Sequence, residues 1–207
     1  MNKDKVLPKK GYGKSKDKAL PPSLRDKLEQ MIIDSREKYL FYLFCYGGLR
    51  INEAEQVRFE WLELRDINGA EILVIKIPAE AKNIKNLRKI WKTKTRQGRE
   101  VFIFYKRAVR EIYYYLRTAN AIDISMRQMR NIVYKWGKMI NRNISPHALR
   151  ATCQNYWKYE LDLKLEVISY MLGHSTIRTT LEFYDTKGAA QIESYFYNKA
   201  ENLSNNK

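Results

Sequence analysis

Apolar residues in the first part of the chain recur at helical spacing. Ser23 is a candidate N-cap for a first helix, whose apolar stripe consists of Leu24, Leu28, Met31 and Ile32. The segment 39–46 is almost wholly apolar, which predicts a second helix that is buried on all sides. Ser35 is the candidate cap of this helix, and Gly47-Gly48 is expected to end it, as glycine does after a helix C-terminus.

The middle of the chain changes to a strand pattern. Segments 71–78 and 100–104 are rich in β-branched and aromatic residues, which predicts a small antiparallel sheet. Residues 82–99 between them hold eight lysines or arginines and no acid, with a turn at Gln97-Gly98. This pattern favours a basic hairpin that faces nucleic-acid phosphates, and a solvated charged loop is the alternative. The side chains expected to make these contacts are Lys82, Lys85, Arg88, Lys89, Lys92, Arg96 and Arg99.

Helical patterns return after the second strand segment. We expect helices over 105–118 and from Ser125 to about residue 140. Ser145-Pro146 is a strong start signal for the next helix, because serine caps well and proline fits the first turn. The chain is therefore expected to be mainly α-helical with a small antiparallel β-sheet, an α+β class.

The C-terminal part continues this pattern. Asp162 is expected to cap a helix that ends at Gly173, and Ser175 to cap a short helix after it. An amphipathic helix is predicted from about residue 188 to 200, followed by a polar tail over 201–207.

Charge narrows the range of partners. The net charge is +16 and the pI is about 9.7, so nucleic acid is the expected partner, with an anionic membrane as the second choice. A soluble basic protein without such a partner is the remaining interpretation. Residues 1–22 carry seven lysines and two aspartates and are interpreted as a flexible basic linker or arm. An ordinary disordered terminus is the alternative for this segment.

The two cysteines, Cys45 and Cys153, are far apart and indicate a reducing compartment without disulfides. Together with the two histidines they lack zinc-site spacing. No run of about 18 apolar residues predicts a membrane span, and the lysine-rich start lacks the apolar core of a signal peptide. We therefore expect a cytoplasmic protein. Its Lys-, Ile- and Asn-rich usage is typical of AT-rich genomes, such as that of a virus or plasmid in a prokaryotic host.

Candidate chemistry is concentrated near the end of the chain. Residues 145–184 hold both histidines, His147 and His174, together with Arg150 and Tyr184. His147 and Arg150 are three positions apart, so a helix places them on one face. An arginine, two imidazoles and a phenol form a suitable set of groups for a phosphodiester.

A further arginine lies much earlier in the sequence. Arg50 directly precedes a predicted third helix, for which Asn52 and Glu55 have the spacing of a capping box. Free backbone N–H groups at a helix N-terminus can hold an anion. Arg50 is therefore a candidate anion-binding residue, although a solvated surface arginine is the simpler interpretation of this residue alone.

Four segments in a fixed order resemble the motifs of the tyrosine recombinases, the phage-integrase family. They are Gly48-Leu49-Arg50-Ile51-Asn52-Glu53-Ala54, Lys94-Thr95-Arg96-Gln97-Gly98-Arg99, Pro146-His147-Ala148-Leu149-Arg150, and Leu172-Gly173-His174-Ser175 with the following Tyr184. The resemblance covers about residues 23–190 and implies a catalytic domain of that family over 23–200.

The sequence departs from the family pattern at two positions. Many members place the nucleophilic tyrosine nine residues after the last motif's histidine, where this chain has Phe183; Tyr184 follows at ten. A histidine often follows the arginine of the third motif, and here that residue is Ala151. The resemblance also implies a separate N-terminal DNA-clamping domain, which is absent from these 207 residues.

The resemblance implies a site-specific DNA recombinase or integrase that uses no metal ion, ATP or other cofactor. Tyr184 would attack the phosphodiester to give a 3′-phosphotyrosine, while Arg50 and Arg150 bind the non-bridging oxygens. Lys94 would protonate the leaving 5′ oxygen, with Lys92 as its rival.

Further roles also follow from the resemblance. His147 and His174 would assist by hydrogen bonding and proton transfer, and Glu53 would orient a site residue. The expected partner is double-stranded DNA, on which copies of the protein assemble through the C-terminal helix. A type IB topoisomerase-like strand transferase and a DNA-binding regulator on the same fold are the alternatives, and a basic helical protein of unrelated fold is a further one.

Overall fold

The structure, a computed structural model, describes residues 19–174. Within this range the chain forms seven α-helices: α1 (Pro22–Met31), α2 (Ser35–Cys45), α3 (Ile51–Ala54), α4 (Lys106–Ala119), α5 (Met126–Met139), α6 (Pro146–Asn155) and α7 (Leu165–Leu172). It also forms five strands: β1 (Leu62–Ile67), β2 (Ala70–Ile77), β3 (Glu80–Lys82), β4 (Ile90–Lys92) and β5 (Arg99–Ile103). The predicted fold class is confirmed.

Several predictions fall on residues outside this range. They concern Tyr184, the short helix after Ser175, the helix over 188–200 and the tail over 201–207. Among the helices at 19–174, the longest have 14 residues, and none is long and apolar enough to cross a membrane.

Serine caps start two helices where the sequence predicts them. Ser125 accepts a hydrogen bond from the Gln128 backbone N–H, and the Gln128 side chain accepts one from the Ser125 N–H at 2.8 Å, which completes a capping box. Ser145 accepts from the Ala148 N–H at 3.2 Å, directly before the first-turn proline of α6. Local sequence therefore determines where α5 and α6 begin.

The sequence pattern places two other helix starts slightly too late. Asp34, not Ser35, caps α2, because its carboxylate accepts from the N–H groups of Arg36 and Glu37. The helix α1 begins at Pro22 rather than after Ser23, since proline needs no N–H partner in a first turn.

The helix α2 lies at the centre of the core. Its residues 39–45 are all fully buried, as the apolar run predicts. Tyr39 stacks on Tyr115 of α4 with ring centroids 4.6 Å apart, and Phe41 meets Trp136 of α5 edge-on at 6.0 Å. Burial of one side chain of this size contributes about 1.5–3 kcal/mol, so α2 organises the helices around it.

The three-stranded sheet has the order β1-β2-β5 and is antiparallel throughout. Segments 71–78 and 100–104 are confirmed as β2 and β5. The sequence pattern misses β1, because this strand is only half-buried and mixes charged with apolar residues. Asn68 and Gly69 connect β1 to β2 with φ of 52° and 77°, the left-handed conformation that tight hairpin turns require.

The basic segment forms a hairpin of its own. Strands β3 and β4 pair antiparallel with Ala81 opposite Trp91, and Trp91 packs on Trp61 with ring centroids 5.7 Å apart. A loop over 93–98 then leads into β5. The segment is therefore a structured hairpin rather than a loose charged loop.

The connection from α6 to α7 differs from the prediction. The end of α6 continues into a π-helical turn over Tyr156–Glu160. Asp162 has a φ of 52° and does not cap α7, whose N-cap is Lys164. The predicted end of α7 at Gly173 is confirmed, with a left-handed φ of 61°.

The last residues of the predicted basic arm belong to the fold. Leu20 is 2% exposed, and its backbone N–H donates to Thr152 Oγ1 of α6 at 2.8 Å. Pro22 already lies in α1. The predicted boundary between the basic arm and the folded domain, after residue 22, is therefore too far along the chain, because residues 20–22 are part of the packed structure.

Candidate active site

The turn between α2 and α3 brings the chain close to α7. Gly48 has a φ of 56°, and a Cβ at this position would lie 3.1 Å from Leu172 Cδ2 and 3.2 Å from Cys153 Sγ. Only glycine allows this approach without strain. The turn places Arg50 directly before α3, as the sequence predicts, and at the N-cap position itself.

Glu53 holds Arg50 in place. Its Oε2 accepts from the Arg50 backbone N–H at 2.8 Å, and its Oε1 accepts from Arg50 Nη1 at 3.0 Å. The predicted capping box of Asn52 and Glu55 is wrong, because Asn52 lies inside α3 and Glu53 closes the turn. The expectation that Glu53 orients a site residue agrees with these contacts.

Glu53 also binds Arg99 across the site. The Glu53 side chain is fully buried and accepts two hydrogen bonds from Arg99, at 2.9 Å from Nη1 and 2.7 Å from Nη2. Burial alone would raise the pKa of Glu53, but the charge and hydrogen bonds of Arg99, with those of Arg50, lower it below its usual value. Glu53 is therefore a carboxylate at neutral pH.

Arg99 does not lie where the sequence predicts it. Its side chain is 3% exposed and is occupied by Glu53 and by the Met171 carbonyl oxygen, which accepts from Nε at 2.8 Å. The expectation that Arg99 contacts DNA is not supported by this position. The sequence of a basic segment does not distinguish an arginine that is exposed to solvent from one that binds a buried carboxylate.

Arg150 enters the site from α6. Its guanidinium is buried and donates from Nη1 to the Gly48 carbonyl and from Nη2 to the Leu172 carbonyl. Burial lowers the pKa of Arg150 to about 9, with Arg50 and Arg99 acting in the same direction and Glu53 opposing them. The group remains a cation at neutral pH, in surroundings where additional negative charge is favourable.

Three arginines from different elements meet at the end of α7. Arg99 donates to the carbonyl of residue 171, Arg150 to that of residue 172, and Arg50 Nη2 to that of Gly173 at 2.8 Å. The last carbonyls of a helix have no partners within the helix and carry partial negative charge. Arginine side chains therefore cap α7 and are themselves oriented by it.

Gly173 allows this convergence. A Cβ there would lie 3.0 Å from Arg99 Cδ and 3.1 Å from its Nε, and the left-handed φ disfavours any other residue.

Both histidines lie beside the arginine cluster. His174 lies two residues after the end of α7, and His147 lies in the first turn of α6; His147 is exposed, and His174 is partly exposed. Partial burial, the charges of Arg150, Arg50 and Arg99, and then that of His147 lower the pKa of His174 to about 4. His174 is therefore neutral at pH 7, and its imidazole can accept a hydrogen bond or a proton.

The two candidate lysines differ in their contacts. Lys92, at the end of β4, pairs with Glu80 at 3.1 Å. Lys94 is exposed in the loop over 93–98 and makes no ion pair with any residue at 19–174. Thr93 braces this loop, since its Oγ1 donates to the Gln97 carbonyl at 3.0 Å. These contacts favour Lys94 over Lys92 as the lysine that is available to a ligand.

The other basic side chains of the hairpin are exposed as predicted. Lys85 also pairs with Asp123 at 2.7 Å. The remaining exposed cations of this set are Lys82, Arg88, Lys89 and Arg96. The hairpin therefore presents most of its positive charge to solvent.

A second basic surface, not predicted from the sequence, lies on α5. Arg127, Arg130, Tyr134 and Lys138 are exposed and share one face at helical spacing. Lys138 Nζ lies 4.8 Å from the centre of the Tyr134 ring. We name this face the α5 stripe; the helical spacing of its basic residues was the available signal.

The site as a whole is a cluster of positive charge, which we name the arginine pocket. Three guanidinium groups share one carboxylate, which leaves two positive charges unmatched among the described residues. Residues 19–174 contain no group of three or more histidine, cysteine, aspartate or glutamate side chains arranged to hold a metal ion. The pocket unites Arg50, Glu53 and Arg150, with His147 and His174 at its edge, whereas Tyr184 lies outside the described residues.

The structure is a small domain of helices and antiparallel strands in which three arginines cluster at the end of α7, an arrangement suited to an anionic group such as a phosphate. The sequence model of the Phage integrase family matches residues 22–190. The chain therefore belongs to the phage integrase family, and the resemblance carried by its four motifs is confirmed.

Individual relatives agree with this assignment. The chain is 25% identical over 174 residues to the tyrosine recombinase XerA of Pyrococcus horikoshii. The matched region comprises 79% of this chain and 56% of the length of XerA. A crystal structure of XerA recombinase has the same fold, with a TM-score of 0.57 and 18% identity, over 86% of this chain and 64% of that one. The Tn1549 transposon integrase, in complex with a circular intermediate DNA, matches with a TM-score of 0.54 and 17% identity over 80% of this chain and 60% of that one.

Proposed function

We propose that this chain is a site-specific recombinase that cleaves and rejoins DNA through a 3′-phosphotyrosine intermediate. The observation that carries this proposal is the pocket in which three arginines surround Glu53 and keep two unmatched positive charges. A phosphodiester gains negative charge on its non-bridging oxygens as it reacts, and such a pocket stabilises that charge. The family of the chain and the name of its relative XerA, a tyrosine recombinase, support the same reaction.

The proposed cleavage step balances without an added reagent. The Tyr184 oxygen attacks phosphorus, so that one O–P bond forms while the bond from phosphorus to the 5′ oxygen breaks. Lys94 gives a proton to the departing 5′ oxygen, and the phenol proton passes to a neutral histidine, for which His174 is suited. One phosphate ester bond is exchanged for another, so the energy of the broken bond is retained in the phosphotyrosine. Rejoining is the reverse reaction.

Arg50 and Arg150 serve the two non-bridging oxygens in this mechanism. An arginine carries five N–H donors, and the contacts of Arg150 to the Gly48 and Leu172 carbonyls employ only two of them. The forked guanidinium can therefore bind the phosphate while the protein holds its plane in a fixed orientation. The paired positive charges do the work that a metal ion does at other phosphoryl-transfer sites.

Two surfaces are proposed to hold the DNA duplex. The basic hairpin and the α5 stripe together supply exposed cations, of which Lys85 and Lys92 are paired with a carboxylate. Such contacts to phosphates give affinity without base specificity. The complex of the Tn1549 integrase with a circular intermediate DNA supports DNA as the partner, and we propose that this DNA is double-stranded.

We also propose that copies assemble on DNA through the predicted helix over 188–200 and act in the cytoplasm of a prokaryotic host. In that predicted helix, Ile192, Tyr195 and Phe196 would form an apolar face. Sedimentation of the protein on a duplex with two sites, with and without residues 188–207, tests this assembly. Loss of the two-copy species on truncation, with single-site binding retained, is the expected result.

Covalent trapping tests the reaction. The protein is incubated with nicked suicide duplexes that carry candidate attachment sites, in the absence of ATP and with EDTA, and adducts are separated on a denaturing gel. The expected result is a protein–DNA adduct that Tyr184→Phe abolishes. Tyr184→Phe must retain DNA affinity, because it removes only the nucleophilic oxygen.

The other outcomes separate the alternatives. An adduct that persists in Tyr184→Phe moves the nucleophile to another tyrosine. Relaxation of supercoiled plasmid DNA without any paired-site product favours a topoisomerase-like transferase. Tight DNA binding without an adduct on any duplex favours a DNA-binding regulator.

A further inference from the structure

Arg99 connects three parts of the site through one side chain. It is the first residue of β5 and directly follows the loop over 93–98, which carries Lys94. Its guanidinium binds both oxygens of Glu53 and the Met171 carbonyl. The buried Arg99 guanidinium therefore joins three segments: the loop that carries Lys94, the start of α3 next to Arg50, and the C-terminal end of α7.

The same loop is restrained at its other end. The Thr93 N–H donates to the Ala79 carbonyl at 2.9 Å, and the Thr93 hydroxyl donates to the Gln97 carbonyl at 3.0 Å. A Cβ on Gly98 would lie 3.1 Å from the Ile77 carbonyl oxygen, so the backbone there runs directly against β2. With both ends held, the position of the exposed Lys94 side chain depends on where Thr93 and Arg99 are anchored.

Arg99 also sets how much charge Arg50 offers to a ligand. Each oxygen of Glu53 accepts one hydrogen bond from Arg99 and one from Arg50. Without Arg99, the buried carboxylate would have Arg50 as its remaining ion-pair partner and would neutralise it. Arg99 therefore keeps Arg50 from being fully paired.

We propose that Arg99 is a positioning residue for strand cleavage, which holds the Lys94 loop against the arginine pocket so that Lys94 reaches the departing 5′ oxygen. The proposal rests on the proposed function. It gives Arg99 no contact with DNA, in contrast to the exposed basic residues of the same segment.

The test uses a DNA duplex whose scissile 5′ oxygen is replaced by sulfur. A thiol has a pKa of about 8.5, so a thiolate departs without a proton and the general acid is no longer needed. The full-length Arg99→Met variant is compared with wild type and with Lys94→Ala on the oxygen and sulfur duplexes at saturating DNA. The dissociation constant for DNA is measured separately.

The expected result is a cleavage rate for Arg99→Met about 10–100-fold below wild type on the oxygen duplex, because a shift of about 1 Å is enough for such a loss. DNA affinity changes less than threefold. The sulfur duplex restores the part of the loss that comes from the displaced Lys94 loop, as it does for Lys94→Ala, whereas the part that comes from the pairing of Arg50 with Glu53 remains on both duplexes. An equal loss on both duplexes, or an unchanged rate on the oxygen duplex, overturns the positioning role.

Arg25→Met is the matched control. Arg25 is also a buried arginine with a bidentate glutamate partner, Glu160, at 2.6 and 3.0 Å. Its loss lowers stability without changing the ratio of rates on the two duplexes.

If Arg99→Met does not fold, Arg99→Lys keeps the charge but loses the fork, and the same sulfur rescue is expected of it. Absence of an adduct with wild-type protein on either duplex refutes the proposed function itself, and the role of Arg99 falls with it.

Discussion

Arg50 Nη2 lies 2.8 Å from the carbonyl oxygen of Gly173, although 123 positions separate the two residues along the chain. This contact fixes the guanidinium of the first motif against the helix end of the last motif. Together with the bond to Glu53 it occupies two of the five N–H donors of Arg50. The others remain for a ligand, so anchoring and phosphate binding are compatible in one side chain.

Replacing Arg150 by lysine should test the need for a forked donor. Lysine keeps the charge but has three donors on a single nitrogen, so it cannot hold the two carbonyls and also form a forked pair with a phosphate; we expect Arg150→Lys to lower the cleavage rate by about 10²–10³-fold. Adduct formation on the suicide duplex measures this rate. Arg107→Lys, an exposed change on α4, should stay within threefold of wild type. A similar rate for Arg150→Lys and wild type would contradict the role of the fork.

Gly173 should be irreplaceable for two separate reasons. Gly173→Ala combines a left-handed backbone, which costs about 1–2 kcal/mol, with a clash against Arg99, which adds about 1–3 kcal/mol. Gly69→Ala is the matched control, because its φ is 77° but a Cβ there has open space within 4 Å. Urea unfolding should show a larger loss of unfolding free energy for Gly173→Ala. Equal losses would mean that the contact with Arg99 adds nothing.

The pKa of His174 predicts how stability depends on pH. The folded pKa is about 4 and that of an unfolded histidine about 6.5, so between these values the unfolded chain binds more protons. The contribution of neutral His174 is complete above pH 6.5 and is lost as the pH falls towards 4. We therefore expect the unfolding free energy of wild type to fall more steeply than that of His174→Gln between pH 6.5 and 4.5. Urea titrations that run parallel over this interval would refute the shift.

The α5 stripe should contribute to DNA affinity in a salt-dependent manner. Removing one side chain that binds a phosphate should reduce the slope of log K against log salt concentration by about 0.9, so Arg127→Gln and Arg130→Gln should each weaken binding and flatten this slope. Lys135→Gln removes a charge from the same helix that is already paired with Glu37 at 2.8 Å, and it should change the slope less. Identical slopes for all three variants would exclude the stripe from the interface.

Local signals were sufficient for much of the fold. Serine caps identify the starts of α5 and α6, and an unbroken apolar run identifies the buried helix α2. Motif order was sufficient to select Arg50 and Arg150, which the structure brings to the same end of α7.

Long-range pairing was not predictable in the same way. Arg99 and Glu53 lie 46 positions apart in the sequence. Whether an arginine at the end of a strand is buried depends on tertiary packing, which a local sequence pattern does not predict. The half-buried strand β1 was missed because its charged residues resemble a loop. Asp162 looked like a helix cap, but its left-handed backbone places it in a turn instead.

The wide sequence separation of the pocket's members has a kinetic consequence. Residues 50, 99, 150 and 171–173 can meet only after most of residues 19–174 have packed, because contacts this distant carry a large loop-closure entropy. We therefore expect the cluster to assemble late in folding. A nascent or locally unfolded chain carries the arginines but not their common geometry, so we expect the proposed strand cleavage to require the completed fold.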